Sequence, residues 1–409
     1  MDPVSKLKLV SPQMDLEIGG ENDGRPSLPL PSPASCGPSV PQDCTKRSAA
    51  ANRAAKQKAL GITQAVLPGG KRITLLKTML TTACERNCYY CSFRTGQNYR
   101  RVTFTPDEMA TTFMDINSAG MAEGLFLSSG IIKGGVTSQD KLIDTVEILR
   151  NKHEFRGYIH LKIMPGADED QIRRSMQVAS RVSVNLEGPN DKRLALLAPK
   201  KEFLRELVGP LKHIERIRHT EEPVATWNGR WPSSTTQFVV GAVGESDLEL
   251  MITSDFLYRN AGLSRVYYMA FRPVQGTPLE EHPPADPWRQ HRLYQASFLL
   301  RDYGFVFEEL PFNQQGNLSL GIDPKHAWAL EHLSQEPVEV NRADKELLLR
   351  VPGIGPKGAG SILHARRSGI IRELGDLQDI GVNPHKPAPF VLLNGKRPTY
   401  QLRLPLTEK

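Results

Sequence analysis

A chain of 409 residues, 39% hydrophobic and 24% charged, has the composition of a soluble protein of about two or three domains. No apolar run approaches the ~20 residues of a membrane-spanning helix, and Met1–Gly20 scatters charges without an apolar signal core, so neither a membrane span nor export is expected. The net charge is +7, but residues 340–409 hold 12 Lys/Arg against 6 Asp/Glu, whereas the first 339 hold 40 and 39. The excess positive charge is therefore concentrated at the C-terminal end.

Residues 1–48 contain eight prolines, seven serines, Cys36 and Cys44. Such a segment cannot bury a core and is expected to be disordered. Ala49 to Leu60, rich in Ala, Lys and Arg, reads as a short helix leading into a first strand, Ile73 to Leu80. Directly afterwards comes Cys84-Glu85-Arg86-Asn87-Cys88-Tyr89-Tyr90-Cys91, with three thiols at C-x3-C-x2-C spacing. A tight loop of this spacing can bring three thiolates onto one face of a small metal cluster. An iron–sulfur cube has four irons, usually held by four cysteines, so three ligands leave one iron open. A structural zinc site is the alternative; it would want four Cys/His ligands, and the nearest downstream histidine is His153. No cysteine follows Cys91, so a disulfide framework is not expected and the chain reads as a reducing-compartment protein.

Strands and helices then alternate. Thr105-Pro106-Asp107-Glu108 is a capping box with proline at the first helical position; Met109, Phe113 and Ile116 share one helical face, and Gly120 stops the helix. Gly124 to Leu127 reads as a buried strand, and Leu142, Val146 and Leu149 repeat the helical spacing. Strands are expected at Tyr158 to Met164, Val182 to Leu186, Gln237 to Gly241 and Val266 to Phe271, with helices at Ile172 to Ala179, Phe203 to Ile217 and Leu248 to Tyr258. Six alternating units imply a parallel sheet, short of the eight in a closed barrel.

The cysteine run, with Tyr90 as the aromatic of C-x3-C-x-aromatic-C, resembles the signature of the radical S-adenosylmethionine (radical SAM) superfamily. The resemblance implies an α/β fold with a six-unit partial (β/α) barrel and a [4Fe-4S] cluster on Cys84, Cys88 and Cys91. Its open iron chelates S-adenosylmethionine (SAM), and an external electron donor drives release of a 5′-deoxyadenosyl radical. Ligands of such folds bind at the C-terminal strand ends. Ser128, Ser129 and Gly130 stand where the family has a Gly-Gly-Glu turn for the methionine amino group. Asn185 and Glu187, two apart on one strand face, are placed to bind the ribose hydroxyls, with a polar strand cap as the alternative. Gly241 and Gly244 sit in a turn similar to the family's adenine turn, shifted by one residue. Arg272 could neutralise an anion, and His160 and Lys162 could face the cavity. The absence of further cysteines argues against sulfur insertion and thiyl chemistry.

Leu347 to Leu363, with Val351-Pro352-Gly353-Ile354-Gly355-Pro356-Lys357-Gly358 at its centre, resembles a helix–hairpin–helix. The bared N–H groups at the start of its second helix would suit a phosphate, with Lys357, Arg366 and Arg367 adding charge; backbone contact with DNA is the functional expectation, a packing module the alternative. Cluster motif, Ser-Ser-Gly turn, Val-Asn-Leu-Glu strand and hairpin together resemble radical SAM proteins assigned to DNA modification and repair, from about Leu75 to Arg397. The expected division is 1–48 disordered, 49–275 barrel, 276–339 connecting region and 340–409 basic all-α nucleic-acid module. The expected function is reductive SAM cleavage with hydrogen abstraction on DNA, bound through its backbone. RNA or a small molecule as substrate, and a non-enzymatic DNA-binding protein with a structural metal, stay open; the oligomeric state is not legible.

Overall fold

The computed structural model describes residues 1–16, 49–66 and 71–400. Cys36 and Cys44 lie outside these residues. Helix α1 (Pro3–Val10) is capped by Asp2, whose carboxylate accepts from the Ser5 N–H at 2.9 Å, and a tight helical turn, Ser11–Leu16, follows. The expected disorder of residues 1–48 therefore does not extend to the first sixteen. Leu7, Val10 and Met14 are buried there, which an average over a Pro/Ser-rich window conceals.

Next come α2 (Ala49–Ala59), β1 (Ile62–Val66), β2 (Arg72–Met79), α3 (Pro106–Ser118), β3 (Gly124–Ser128), α4 (Gly134–Glu147), β4 (Tyr158–Lys162), α5 (Glu169–Val178) and β5 (Arg181–Ser183). They are followed by α6 (Asp191–Leu197), α7 (Gly209–Thr220), β6 (Ser233–Val240), α8 (Asp247–Asn260) and β7 (Arg265–Ala270). The sheet runs in the order β1 to β7. Strands β2 to β7 pair in parallel, each joined to the next by a helical crossover. The expected six parallel units are present and the barrel is left open. Strand β1 is an unexpected seventh, antiparallel to β2 with Ile62 opposite Leu76.

The parallel strands are buried, with Leu75, Leu76, Leu125, Leu127, Ile159 and Leu161 each 0% exposed, while His160, Lys162 and Gln237 are buried polar side chains on the same sheet. The capping box of α3 is complete, with Thr105 and Glu108 each accepting the other's backbone N–H. At the start of α5, Asp168 and Gln171 do the same.

Contacts divide the chain into two compact units, Met1–Glu245 with Phe256–Gln290, and Ser246–Asp255 with His291–Lys409. This differs from the division expected after residues 275 and 339. The second unit contains most of α9 (Pro287–Asp302), then α10 (Pro324–His332), β8 (Val338–Glu339), α11 (Lys345–Arg350), α12 (Pro356–Ala365), α13 (Leu374–Asp379) and β9 (Val391–Leu392). Strands β8 and β9 pair in parallel, so a boundary at 340 would cut a paired sheet away from the helices it belongs with. Among the described residues no helix is long and apolar enough to cross a membrane.

Candidate active site

The three cysteines lie in the loop after the C-terminal end of β2. That loop is irregular, and its backbone is held by hydrogen bonds to many parts of the first unit. The Glu85 N–H donates to Ile131 O at 2.8 Å, the Tyr89 N–H to Leu197 O at 2.7 Å and the Thr95 N–H to Arg86 O at 2.8 Å. The Arg101 guanidinium donates to Thr82 O, Phe93 O and Arg94 O at 2.6–2.7 Å, closing the loop from behind. The Glu85 carboxylate accepts from the N–H groups of Lys133 and Gly134, both at 3.2 Å. It thereby places a negative charge at the positive end of α4 and locks loop to helix.

Cys84, Cys88 and Cys91 are not disulfide-bonded, and all three line one cavity. The Ile131 N–H approaches Cys84 Sγ at 3.5 Å and the Phe93 N–H approaches Cys91 Sγ at 3.4 Å. Such N–H groups stabilise thiolate sulfur in iron–sulfur sites. Cys88 is buried, and burial pushes its thiol up, against the pull of the Lys201 ammonium; a metal binding there displaces the proton. Among the described residues no three His, Cys, Asp or Glu side chains converge on a single metal ion, and the tetrahedral zinc alternative gains no fourth ligand there. The donor set fits a multi-iron cluster held at three corners.

Gly130 stands against the start of the cysteine loop. Its N–H donates to Thr81 O at 2.7 Å, and a Cβ at this position would run into Ala83 O and lie 3.2 Å from Cys84 Cβ. Only glycine allows the β3 turn to approach the loop this closely. Ser129 and Gly130 line the cavity; Ser128 is buried at the end of β3.

Asn185 and Glu187 both line the same cavity. Glu187 has φ +65°, unusual for a residue with a side chain. It is held by its N–H donating to Gln237 O at 2.9 Å and by the following Gly188 N–H donating to Leu186 O at 2.8 Å. The carboxylate is 3% exposed, and Oε1 accepts from Lys201 Nζ at 3.0 Å. Burial alone would raise the Glu187 pKa; the Lys201 and Lys162 ammoniums outweigh it and hold the carboxyl below its usual range. Lys201 is likewise kept charged, burial being more than offset by Glu187. The Tyr90 hydroxyl is pushed well up, first by burial and then by the Glu187 charge. Glu187 Oε2 is buried and accepts no hydrogen bond from the described residues, so the site presents a charged acceptor to whatever enters.

Other residues named from the sequence lie elsewhere. Gly241 and Gly244 belong to a turn held by Glu245, whose carboxylate accepts the Gly241 and Val243 N–H groups and pairs with Arg289 at 3.5 Å. Neither glycine is among the residues lining the cysteine cavity, and Arg272 is exposed. Lys162 lines the cavity, whereas His160 is buried edge-on to Phe126. Sequence reasoning missed Lys201 and Arg86. Arg86 lines the cavity from within the cysteine motif and pairs with buried Glu206 at 2.6 Å.

In the second unit, α11 and α12 flank the turn 351–355. The first turn of α12 has no side-chain cap at Gly355, and Lys357 and Arg367 are exposed. Gly353 has φ +83°, and a Cβ there would sit 2.8 Å from Lys386 Cβ. Gly358 abuts Val382. Arg366, expected to face an anion, instead donates to Val340 O at 3.3 Å and Ala343 O at 2.5 Å. Its guanidinium clamps two carbonyls of its own chain.

Sequence comparison with protein families matches residues 78–220 to the radical SAM superfamily; no curated protein matches. Among solved structures, methylornithine synthase (PylB) aligns at 15% identity and a TM-score of 0.44 over 55% of this chain and 61% of its own. The FeFe-hydrogenase maturase HydG from Carboxydothermus hydrogenoformans aligns at 16% identity and 0.44 over 55% and 51%. The methyltransferase TsrM from Kitasatospora setae, with tryptophan and a SAM analogue bound, aligns at 13% identity and 0.39 over 50% and 38%. The chain thus spans less than two thirds of each of these relatives. With three thiols in the superfamily's spacing, on a loop at the C-terminal end of a parallel sheet, residues 78–220 are similar to the radical SAM superfamily domain.

Proposed function

We propose that the protein is a radical SAM enzyme acting by hydrogen abstraction on a component of DNA. The observation that carries the enzymatic part is the opening of Cys84, Cys88 and Cys91 onto the cavity that also holds the orphaned Glu187 oxygen. When bound, a [4Fe-4S] cluster supplies the electron that cleaves SAM and starts hydrogen abstraction; an external reductant replenishes it. Cys84, Cys88 and Cys91 hold the cluster. Asn185 and Glu187 accept the ribose hydroxyls, with Lys201 keeping Glu187 ionised. Ser129 and Gly130 would lie beside the methionine end, and the Tyr90 hydroxyl, hydrogen-bonded to the Glu187 carboxylate, helps hold that side chain in place. In this reading Gly241, Gly244 and Arg272 belong to the outer strand ends and do not touch SAM directly.

For the DNA part we read α11 and α12 as a helix–hairpin–helix. The uncapped start of α12, with Lys357 and Arg367 adding charge, suits phosphate contacts without base readout. An extruded nucleotide would then be the substrate. A second reading, RNA or a small molecule, is favoured by one observation: Arg366 and Gly353 are committed to packing within their own unit, as in a structural hairpin. Anaerobic reconstitution with SAM and DNA, followed by mass spectrometry of the nucleosides, tests the proposal; a modified nucleoside is expected with DNA. Turnover of RNA or of a small molecule, with DNA untouched, would move the assignment to the second reading.

A further inference from the structure

Lys325, in the first turn of α10, is 8% exposed, an unusual place for a lysine side chain. Its Nζ donates to Ile354 O at 2.6 Å and lies 4.6 Å from the centre of the Tyr303 ring. The same side chain lines a cavity of about 250 Å3 in the second unit, together with Tyr303, Asp323, His326, the backbone of Gly353–Gly355 and Lys386. The amine is thus fixed in orientation at the wall of a space large enough for a small ligand. The groups around it are mixed in sign. Asp323 caps α10, accepting the His326 N–H at 3.1 Å; Lys386 and Arg350 are cationic neighbours.

We propose that this cavity binds a small aldehyde or ketone carrying an anionic group and that Lys325 captures the carbonyl as an imine. The anion would rest against the Lys386 ammonium, which lines the same cavity. The Lys325 Nζ lone pair adds to the carbonyl carbon and a C–N bond forms. Both amine protons pass in turn to the carbonyl oxygen, relayed by His326 or Tyr303, which share the cavity, and the oxygen leaves as water as the C=N bond forms. No oxidant or reductant is consumed. Such a step needs an unprotonated amine. Burial pushes Lys325 down to about 7; Asp323 pulls the other way, and Arg350 and Lys386 add to the lowering. His326 is also held below its ordinary value, chiefly by burial, so its imidazole is available to accept a proton at neutral pH. The site is independent of the cysteine cavity and stands or falls without the radical SAM reading.

The full-length protein treated with pyridoxal 5′-phosphate at neutral pH and then with borohydride, which fixes an imine as a secondary amine, tests this. Peptide mass spectrometry locates the label. A Lys325 labelling rate about tenfold above that of exposed Lys357, the direction a lowered pKa dictates, is expected. Pyridoxal, which lacks the phosphate, should label Lys325 more slowly. Lys325→Arg keeps a donor for Ile354 O, so it should stay folded and lose only this label. Label confined to exposed lysines, with Lys325 protected in a protein that Lys325→Gln destabilises, would make the residue a structural tether and overturn the proposal. So would equal labelling of Lys325 and Lys357.

Discussion

Glu187 illustrates how a single residue carries both strain and charge at the candidate site. A left-handed backbone at a side-chain-bearing residue costs free energy, as does burying a carboxylate. Both persist because Lys201 and Gln237 over-determine the position. Lys201→Met should therefore destabilise the protein by about 3–5 kcal/mol in urea unfolding at neutral pH, since it leaves a buried charge unpaired; Glu187→Gln combined with it should recover much of the loss. The sign with pH follows from the direction of the shift. The folded-state pKa of Glu187 lies below its unfolded value of about 4.3, so its contribution is complete above that value. It fades as the pH falls through the folded value. The stability difference between wild type and Glu187→Gln should shrink as the pH falls below the unfolded value, and a constant difference would contradict the depressed carboxyl. SAM affinity should fall by about 1–3 kcal/mol in Asn185→Ala or Glu187→Ala, the cost of polar partners left unmade, with iron content retained; unchanged affinity in both would remove the ribose role. Asn185 and Glu187 were legible as an i, i+2 pair, but the strand expected to carry them ends at Ser183 and Glu187 is left-handed, so packing beyond β5 rather than strand alternation brings both to the cavity. Lys201 was not legible, because α6 intervenes and a lone lysine in a loop carries no pattern.

Among elements, the cysteine loop and the turn after β3 are positioned by close packing and hydrogen bonds rather than by regular structure. Gly130→Ala should push Ala83 and Cys84 away, lowering iron incorporation while far-UV circular dichroism stays unchanged; full iron loading in that variant would show the close approach to be dispensable. Thr105→Ala, which opens a complete capping box, should cost about 1 kcal/mol. The six parallel strands followed from short apolar runs bounded by turn residues, and most of the helices between them from the 3.6-residue spacing; α6, only seven residues long, did not. Strand β1 escaped because Ile-Thr-Gln-Ala-Val is short and half polar, an edge strand that needs only one partner. Helix α1 escaped because its few buried residues are diluted by the prolines after it.

For the whole molecule, charge and fold report different things. The basic excess of residues 340–409 belongs to a unit that also includes residues 246–255 and 291–339, so truncation at residue 340 would break β8 from β9 and confound any binding result. A point change is the better probe. Lys357→Glu should lower DNA affinity similarly across sequences and reduce the salt slope by about 0.9 for each phosphate no longer neutralised; equal slopes and affinities would make the hairpin a packing element.

In the proposed function Cys84, Cys88 and Cys91 hold a cluster that cleaves SAM. Anaerobic reconstitution of wild type and Cys88→Ala, with iron, sulfide and 5′-deoxyadenosine quantified after adding dithionite and SAM, tests it most directly. Wild type should contain about four irons and four sulfides per chain and release 5′-deoxyadenosine, with Cys88→Ala releasing none. Continued 5′-deoxyadenosine release by Cys88→Ala, or zinc in place of iron in the wild type, would contradict the account.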